Sequence, residues 1–143
     1  MIVLAAVPLL IVLLVVPSRG DAVERRPPQC NLAGNWQGTG VDVRHTRWTF
    51  TLALTQRGTA LDGRFVWRSN LGHNGEERVR GSVNCAAKRI HLQGLSVTPG
   101  AHLATARYTL STSAWFNAIW GNWSGPGIPG SLRGRKIAPS RPR

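Results

Sequence analysis

Apolar and polar residues alternate in short runs from Gly34 to Lys136, and Gly- or Asn-containing turns separate these runs. From Trp48 to Leu54 every second residue is large and apolar, and the positions between them are Thr or Ala. Successive residues of a β-strand point to opposite faces, whereas an amphipathic helix repeats about every 3.6 residues. The alternation therefore predicts an all-β domain built from strands that each bury one face.

Eight segments carry this alternation, and short connections join them. They span residues 34–40, 47–56, 61–68, 76–84, 89–94, 104–111, 118–124 and 130–136. Short connections favour an up-and-down meander, and eight antiparallel strands suffice to close a barrel without exposed sheet edges. The interior of such a barrel is either filled by side chains or holds one small ligand. We therefore expect an eight-stranded antiparallel up-and-down barrel.

Two segments of different composition flank the predicted barrel domain, residues 31–136. Residues 1–22 combine an apolar run with small residues near Ala22, which is typical of a secretory signal peptide. Residues 23–30 are interpreted as a linker and residues 137–143 as a disordered basic tail. We expect a secreted or periplasmic protein with no transmembrane domain after signal removal. Because no Lys or Arg precedes the apolar run, an uncleaved anchor is the alternative.

The chain contains two cysteines, Cys30 and Cys85. Exported proteins meet an oxidising compartment, so these residues are predicted to form a disulfide. In a meander both fall at the same end of the barrel, where the N-terminal arm joins the first strand. The alternative is a pair of separate buried thiols.

Residues 34–40, with the sequence GNWQGTG, resemble the first strand of calycin-type barrels. Gly-x-Trp opens lipocalins, the wider pattern from Cys30 to Trp36 is similar to the start of avidins, and Gly-x-Trp-x-Gly-x-Gly resembles nitrobindins. The resemblance implies a calycin/lipocalin-like barrel and, as in lipocalins, a late arginine over Trp36, for which Arg133 or Arg135 is available. The biotin-contacting pattern and the C-terminal haem-ligand histidine are absent, so no family ligand is carried over.

Large aromatic residues on the predicted strands are candidates for the wall of a ligand cavity. They are Trp36, Trp48, Phe65, Trp67, Trp120 and Trp123. Aromatic walls suit apolar or aromatic ligands, but the same residues can equally fill a core. Trp115 and Phe116 lie instead in a predicted turn, where we expect them to fold back as a plug. Docking to a membrane or a partner is the alternative for this pair.

The longer predicted loops share one end of the meander, which is the expected mouth of the barrel. Residues 41–46, 69–75, 95–103 and 126–129 form these loops, and the polar rim residues are Asp42, His45, Asn70, His73 and His102. The three histidines are candidate ligands for Zn²⁺ or Cu²⁺, or a pH-sensitive gate. Their spacing matches no metal motif, and solvated loop histidines are the alternative.

The formal net charge is +12, and arginine supplies most of the basic residues. Arg64, Arg68, Arg78 and Arg80 alternate with core positions on neighbouring predicted strands and are expected to form a basic outer face. Such a face attracts anionic polymers, although charge alone also fits a solvated surface. No exposed aromatic residues are recognised between these arginines, so specific nucleic-acid binding is not indicated.

Motifs of catalysis are missing from the sequence. It contains no Gly-x-Ser-x-Gly elbow, no metal-ligand spacing, no phosphate-binding loop and no recognisable cofactor site. This favours an exported, monomeric, non-enzymatic protein that binds a small apolar or aromatic ligand inside its barrel. The alternative is a filled barrel whose basic surface binds an anionic polymer or a protein partner. An enzyme using the rim histidines is the least favoured hypothesis.

Overall fold

A computed structural model describes residues 28–139 as a closed antiparallel barrel. Each strand pairs with the next along the chain, and the last pairs with the first, which confirms the predicted meander. The strands are β1 (Gly34–Asp42), β2 (Arg47–Arg57), β3 (Ala60–Ser69), β4 (Asn74–Asn84), β5 (Arg89–Val97), β6 (Arg107–Thr112), β7 (Ala118–Ser124) and β8 (Gly130–Lys136). The predicted signal peptide, most of the linker and the end of the tail lie outside the described residues. Within residues 28–139, no helix is long and apolar enough to cross a membrane.

The largest departure from the predicted strand bounds is at β5 and β6. Arg78 of β4 pairs with Ser96, and Val79 pairs with Gly94, so Leu95 is an extra residue that forms a β-bulge. Strand β5 therefore continues to Val97 instead of ending at residue 94. Strand β6 begins at Arg107 instead of residue 104. The backbone N–H of Ala106, just before the strand, donates to the Glu77 side chain inside the barrel instead of to a neighbouring strand.

The interior is packed with the alternate residues that the sequence pattern assigned to it. On β2, Phe50, Leu52 and Leu54 are buried, and the residues between them are exposed. Burying each such side chain stabilises the fold by about 1.5–3 kcal/mol. A row of aromatic rings then runs towards the mouth: Phe65 stacks on Tyr108 at 4.7 Å and on Trp67 at 5.1 Å between ring centroids.

The N-terminal arm closes the opposite end of the barrel. The predicted disulfide is confirmed: Cys30 and Cys85 are bonded, with 5.9 Å between their Cα atoms. Gln56 holds the arm, since its Oε1 accepts from the Leu32 backbone N at 2.7 Å and its Nε2 donates to the Cys30 carbonyl at 3.0 Å. Trp36 is fully buried here, and its indole N–H donates to the Leu32 carbonyl at 3.0 Å.

The cation over Trp36 is a lysine, and the arginine prediction is wrong. Lys136 Nζ lies 5.8 Å from the Trp36 ring centroid and donates to the Asn31 carbonyl at 3.0 Å. Lys136 is the register partner of Trp36 across β1 and β8. Arg133 and Arg135 are exposed, because alternation turns them to the outer face.

The two residues of the predicted plug, Trp115 and Phe116, lie in the turn between β6 and β7 and have different environments. Phe116 is 3 % exposed and adopts a positive φ of 55°, which turns its ring into the closed end. Lys88 Nζ lies 4.9 Å from the Phe116 centroid. Trp115 is 59 % exposed, so the prediction is correct for Phe116 and wrong for its neighbour.

Candidate functional site

The six predicted cavity aromatics occupy three different environments. Trp48, Trp67 and Trp123 line a cavity at the mouth of the barrel. Trp36 and Phe65 are fully buried in the packed core and do not line it. Trp120 is 46 % exposed on the outer face, so its placement in a cavity was wrong. It lies three residues before Trp123 on β7, and two strand residues separated by an odd number point to opposite faces.

The cavity occupies about 350 Å³ between the loop from β5 to β6 and the loop from β7 to β8. Four aromatic side chains line its wall, namely Trp48, Trp67, Tyr108 and Trp123, and residues of the two loops complete the opening. The Trp67 centroid lies 6.2 Å from that of Trp48 and 5.4 Å from that of Trp123. The lower half of the barrel is filled, so the cavity opens only at the mouth.

Two of the indole N–H groups that border the cavity donate hydrogen bonds to acceptors of the protein itself. Trp48 Nε1 donates to Asp42 Oδ2 at 3.2 Å, and Trp123 Nε1 donates to the Ile128 carbonyl at 2.8 Å. These bonds fix the orientation of both rings and satisfy their polar edges. What remains for a ligand is mainly the apolar, electron-rich ring surface.

Asp42 was predicted at the rim. In the structure its side chain is buried, with an exposed fraction of 6 %, and it lines one end of the cavity. Its Oδ1 accepts from the backbone N of Arg44 at 2.9 Å and of Thr46 at 3.0 Å, which caps the turn between β1 and β2. Burial raises the pKa of Asp42, but the hydrogen bonds from Trp48 and the turn outweigh it and leave the pKa below its ordinary value. Asp42 is therefore a carboxylate at neutral pH.

Glu77 is a cavity residue that the sequence reasoning missed. It is 1 % exposed and lines the inner part of the cavity. Oε2 accepts from the Ala106 backbone N at 2.7 Å, and Oε1 accepts from the Tyr108 hydroxyl. Gly94 leaves the room for this carboxylate, since a Cβ at that position would collide with Oε2.

The electrostatics of this pair are those of a desolvated acid. Burial raises the pKa of Glu77 more than the hydrogen bonds from Tyr108 and Ala106 lower it. Burial also raises the pKa of Tyr108, and the nearby Glu77 charge raises it further. The Tyr108 hydroxyl is therefore a fixed donor to the carboxyl group.

Strand alternation contained the signal for Glu77. It precedes Val79 by two residues on β4, and Val79 and Val83 face the core. Glu76 and Glu77 are adjacent on β4 and so point to opposite faces, and the alternation places Glu77 on the inner face with Val79 and Val83. A charged residue at an inward position is a departure from the pattern, and such departures mark candidate functional groups.

The rim histidines do not converge as a group of three. His73 and His102 stack with 4.6 Å between ring centroids, and His102 lines the cavity. His45 is exposed in the tight turn after β1, with a φ of 67°. Within residues 28–139, no three His, Cys, Asp or Glu side chains lie close enough to hold a metal ion. Asn70 is exposed and accepts from the Arg47 backbone N at 3.1 Å, which fixes the loop.

The predicted basic face lies on the outside of β3 and β4, where Arg64, Arg68, Arg78 and Arg80 are exposed. Carboxylates interrupt it. Arg64 Nη1 lies 3.4 Å from Glu76 Oε2, and Arg80 Nε lies 3.0 Å from Asp62 Oδ1. Both pairs are solvent-exposed, so they add little stability, but they lower the positive potential of this face.

A different outer surface combines arginines with an exposed aromatic ring. We call it the Trp120 face, and its outward residues are Trp120, Arg133, Arg135, Thr39, Thr49 and Arg68. Trp120 pairs with Arg133 across β7 and β8, and Arg133 pairs with Thr39 of β1. Thr49 of β2 continues the row to Arg68 of β3. These rows place an indole ring beside basic side chains.

Comparisons with known proteins identify the architecture. A structure described as a redesigned β-barrel, mFAP1, bound to DFHBI is 14 % identical, with a TM-score of 0.61, and covers 74 % of this chain and 94 % of that one. The mFAP0 barrel bound to DFHBI is 15 % identical, with a TM-score of 0.60 and coverages of 73 % and 98 %. A de novo designed fluorescence-activating β-barrel is 16 % identical at a TM-score of 0.55, with coverages of 73 % and 93 %.

These likenesses establish the fold alone, because the sequence identities are low. No protein-family model and no curated protein matches the sequence significantly. The resemblance of residues 34–40 to lipocalins, avidins and nitrobindins therefore stays a prediction, and only the eight-stranded barrel architecture is confirmed.

Proposed function

We propose that this protein binds a small, largely apolar or aromatic ligand in the cavity at the mouth of its barrel. The observation that carries the proposal is the cavity of about 350 Å³ walled by three tryptophans and Tyr108. Small-molecule sites have volumes of about 300–1,000 Å³ and combine apolar walls with a few polar groups. A filled lower half supports capture of a ligand through a single opening.

Two further observations are consistent with this role. Barrels of the same fold have been solved bound to DFHBI, although fold analogy does not transfer a ligand. The Cys30–Cys85 disulfide is compatible with an extracellular or periplasmic location, where such bonds persist. We therefore include secretion in the proposal, and the apolar segment within residues 1–22 supports it.

The test is a fluorescence titration with the neutral apolar probe N-phenyl-1-naphthylamine. Trp67 is 4 % exposed and central to the cavity wall, so Trp67→Leu is expected to weaken probe binding about tenfold or more. Trp120→Leu is the matched control, because it makes the same change on the outer face. It is expected to leave the affinity unchanged. Circular dichroism and thermal melts check that both variants fold.

A second variant keeps the test decisive if Trp67→Leu fails to fold. Ala104 is exposed and lines the opening, so Ala104→Trp narrows the cavity without removing a core contact. It is expected to reduce probe binding in a folded protein. Unchanged affinity in a folded Trp67→Leu or Ala104→Trp variant would show that the probe binds elsewhere and would refute the proposal.

The Trp120 face favours a second, separate function: binding of an acidic polysaccharide. An exposed indole can stack on sugar rings, and the adjacent Arg133 and Arg135 complement acidic groups. Heparin oligosaccharides are expected to bind with a steep salt dependence, and Arg133→Gln with Arg135→Gln should weaken them. Substituting the ion-paired Arg64 and Arg80 is the control for total charge. Equal losses from both pairs, or equal binding of single-stranded DNA, would contradict a specific site.

A further inference from the structure

Carboxylates are unevenly distributed in this strongly basic protein. The chain has a net charge of +12, and residues 28–139 contain four acidic side chains. Asp62 and Glu76 lie outside in ion pairs with arginines, whereas Asp42 and Glu77 line the cavity. None of the described arginines or lysines lines it. The cavity is therefore a site of negative potential within a positively charged molecule.

The hydrogen-bond partners of Glu77 are neutral donors, whereas a buried carboxylate ordinarily pairs with a cation. Its two partners are the Ala106 backbone N–H and the Tyr108 hydroxyl, and within residues 28–139 it takes part in no ion pair. Buried charges in proteins are usually paired, because desolvation strongly disfavours an isolated one. A carboxylate offers about four acceptor positions, so this one can accept further donors from a ligand.

The walls beside Glu77 are suited to a cation as well. A cation over the face of an aromatic ring is attracted by the ring quadrupole, and tryptophan is the most favourable partner. Trp67 lies between Trp48 and Trp123, with centroid distances of 6.2 Å and 5.4 Å. The N–H edges of these two flanking rings are held by Asp42 and the Ile128 carbonyl, which leaves ring faces for the ligand.

We infer that the ligand of this cavity carries a protonated amine, held between the tryptophan rings and the Glu77 carboxylate, on an aromatic or apolar body. The inference rests on the proposed ligand-binding function and adds the charge of the ligand. A metal ion fits less well, since the three hydrogen bonds to Asp42 occupy much of its acceptor capacity and no three His, Cys, Asp or Glu side chains of residues 28–139 lie close enough to hold one. Asp42 instead contributes to the negative potential that favours a cation.

The test compares three probes with nearly the same body: phenethylamine, 2-phenylethanol and phenylacetate. Binding is followed by quenching of the protein's tryptophan fluorescence and by calorimetry. Phenethylamine is expected to bind about tenfold or more tightly than the alcohol, and phenylacetate is expected to bind least. An alcohol that binds as tightly as the amine would overturn the inference.

Adjacent residues supply a matched pair of variants. Glu77→Gln keeps the side-chain size and removes the buried charge, so the amine should lose its advantage over the alcohol. Glu76→Gln makes the same change on the outer face and should leave the preference intact, since Glu76 is exposed. Retention of the amine preference in a folded Glu77→Gln protein would also overturn the inference.

The wild-type protein provides a measurement that needs no folded variant. Phenethylamine affinity should rise with pH as Glu77 ionises, while the affinity for 2-phenylethanol stays constant. Three other titratable groups line the cavity: Asp42 from β1, Tyr108 from β6 and His102 from the loop after β5. His102→Gln controls for the histidine, because it removes the imidazole from the cavity wall. An amine affinity that is independent of pH in this variant would contradict the role of Glu77.

The naphthylamine probe separates failure of the inference from failure of the proposed function. If it binds in the cavity and the amine shows no preference, the ligand is neutral and the cavity function stands. If neither this probe nor phenethylamine binds, both proposals are wrong.

Discussion

Removal of the Cys30–Cys85 disulfide should destabilise the barrel without affecting the mouth. The bond joins residues separated by 55 positions in the chain. In the chain-entropy description, a loop of this length confers about 4 kcal/mol by restricting the unfolded state. Since small domains have unfolding free energies of about 5–15 kcal/mol, the loss is a large fraction of the total.

The perturbation is the double variant Cys30→Ser with Cys85→Ser, compared with the oxidised wild type by urea unfolding at 25 °C. Reduced wild-type protein is the control and should unfold with the same midpoint as the variant. N-phenyl-1-naphthylamine binding should be unchanged below the transition, because the bond lies at the end opposite the cavity. A loss of stability below about 1 kcal/mol would refute the loop-entropy reasoning. Loss of probe affinity in the folded variant would refute the independence of the two ends.

Two further predictions concern the closed end and the buried acid. Phe116→Ala should lower the unfolding free energy by about 3–5 kcal/mol, because a buried ring is removed. Trp115→Ala should change it by about 0.5 kcal/mol or less, because that ring is exposed. Equal effects of the two substitutions in urea titrations would contradict the different placement of the two rings. The pKa of Glu77 is raised above its ordinary 4.5, so the folded state binds this proton more tightly than the unfolded chain does. Its contribution to stability is therefore fully present below pH 4.5 and is lost as the pH rises through the folded-state pKa. Glu77→Gln should remove this pH dependence, and identical pH profiles for the two proteins would show that Glu77 is not desolvated.

The extent of correct prediction differs between the fold and the site. Alternation between Trp48 and Leu54 specified which face of β2 is buried, because a strand has only two faces. The same rule, applied more strictly, would have excluded Trp120 from the cavity and placed Glu77 inside. Residue type is misleading at both positions, because the strand position turns Trp120 to solvent and buries Glu77.

Other features required coordinates, because they depend on contacts between distant segments. The bulge at Leu95 shifts the pairing of β5 with β4, and a shift of register is invisible to a pattern read along one strand. Loop conformation decides that His73 and His102 stack while His45 turns away. It also decides that Phe116 enters the closed end and Trp115 does not.

The amino-acid pattern was sufficient for the number of strands, their buried faces and the order of the meander. These are local or topological properties, fixed by a period of two and by short connections. Only the tertiary structure decided that the barrel is filled at one end and hollow at the other. The volume left at the mouth depends on how rings from β2, β3, β6 and β7 pack across the interior. The burial of Glu77 against Ala106 and Tyr108, from which the proposed charge of the ligand follows, arises from that same packing.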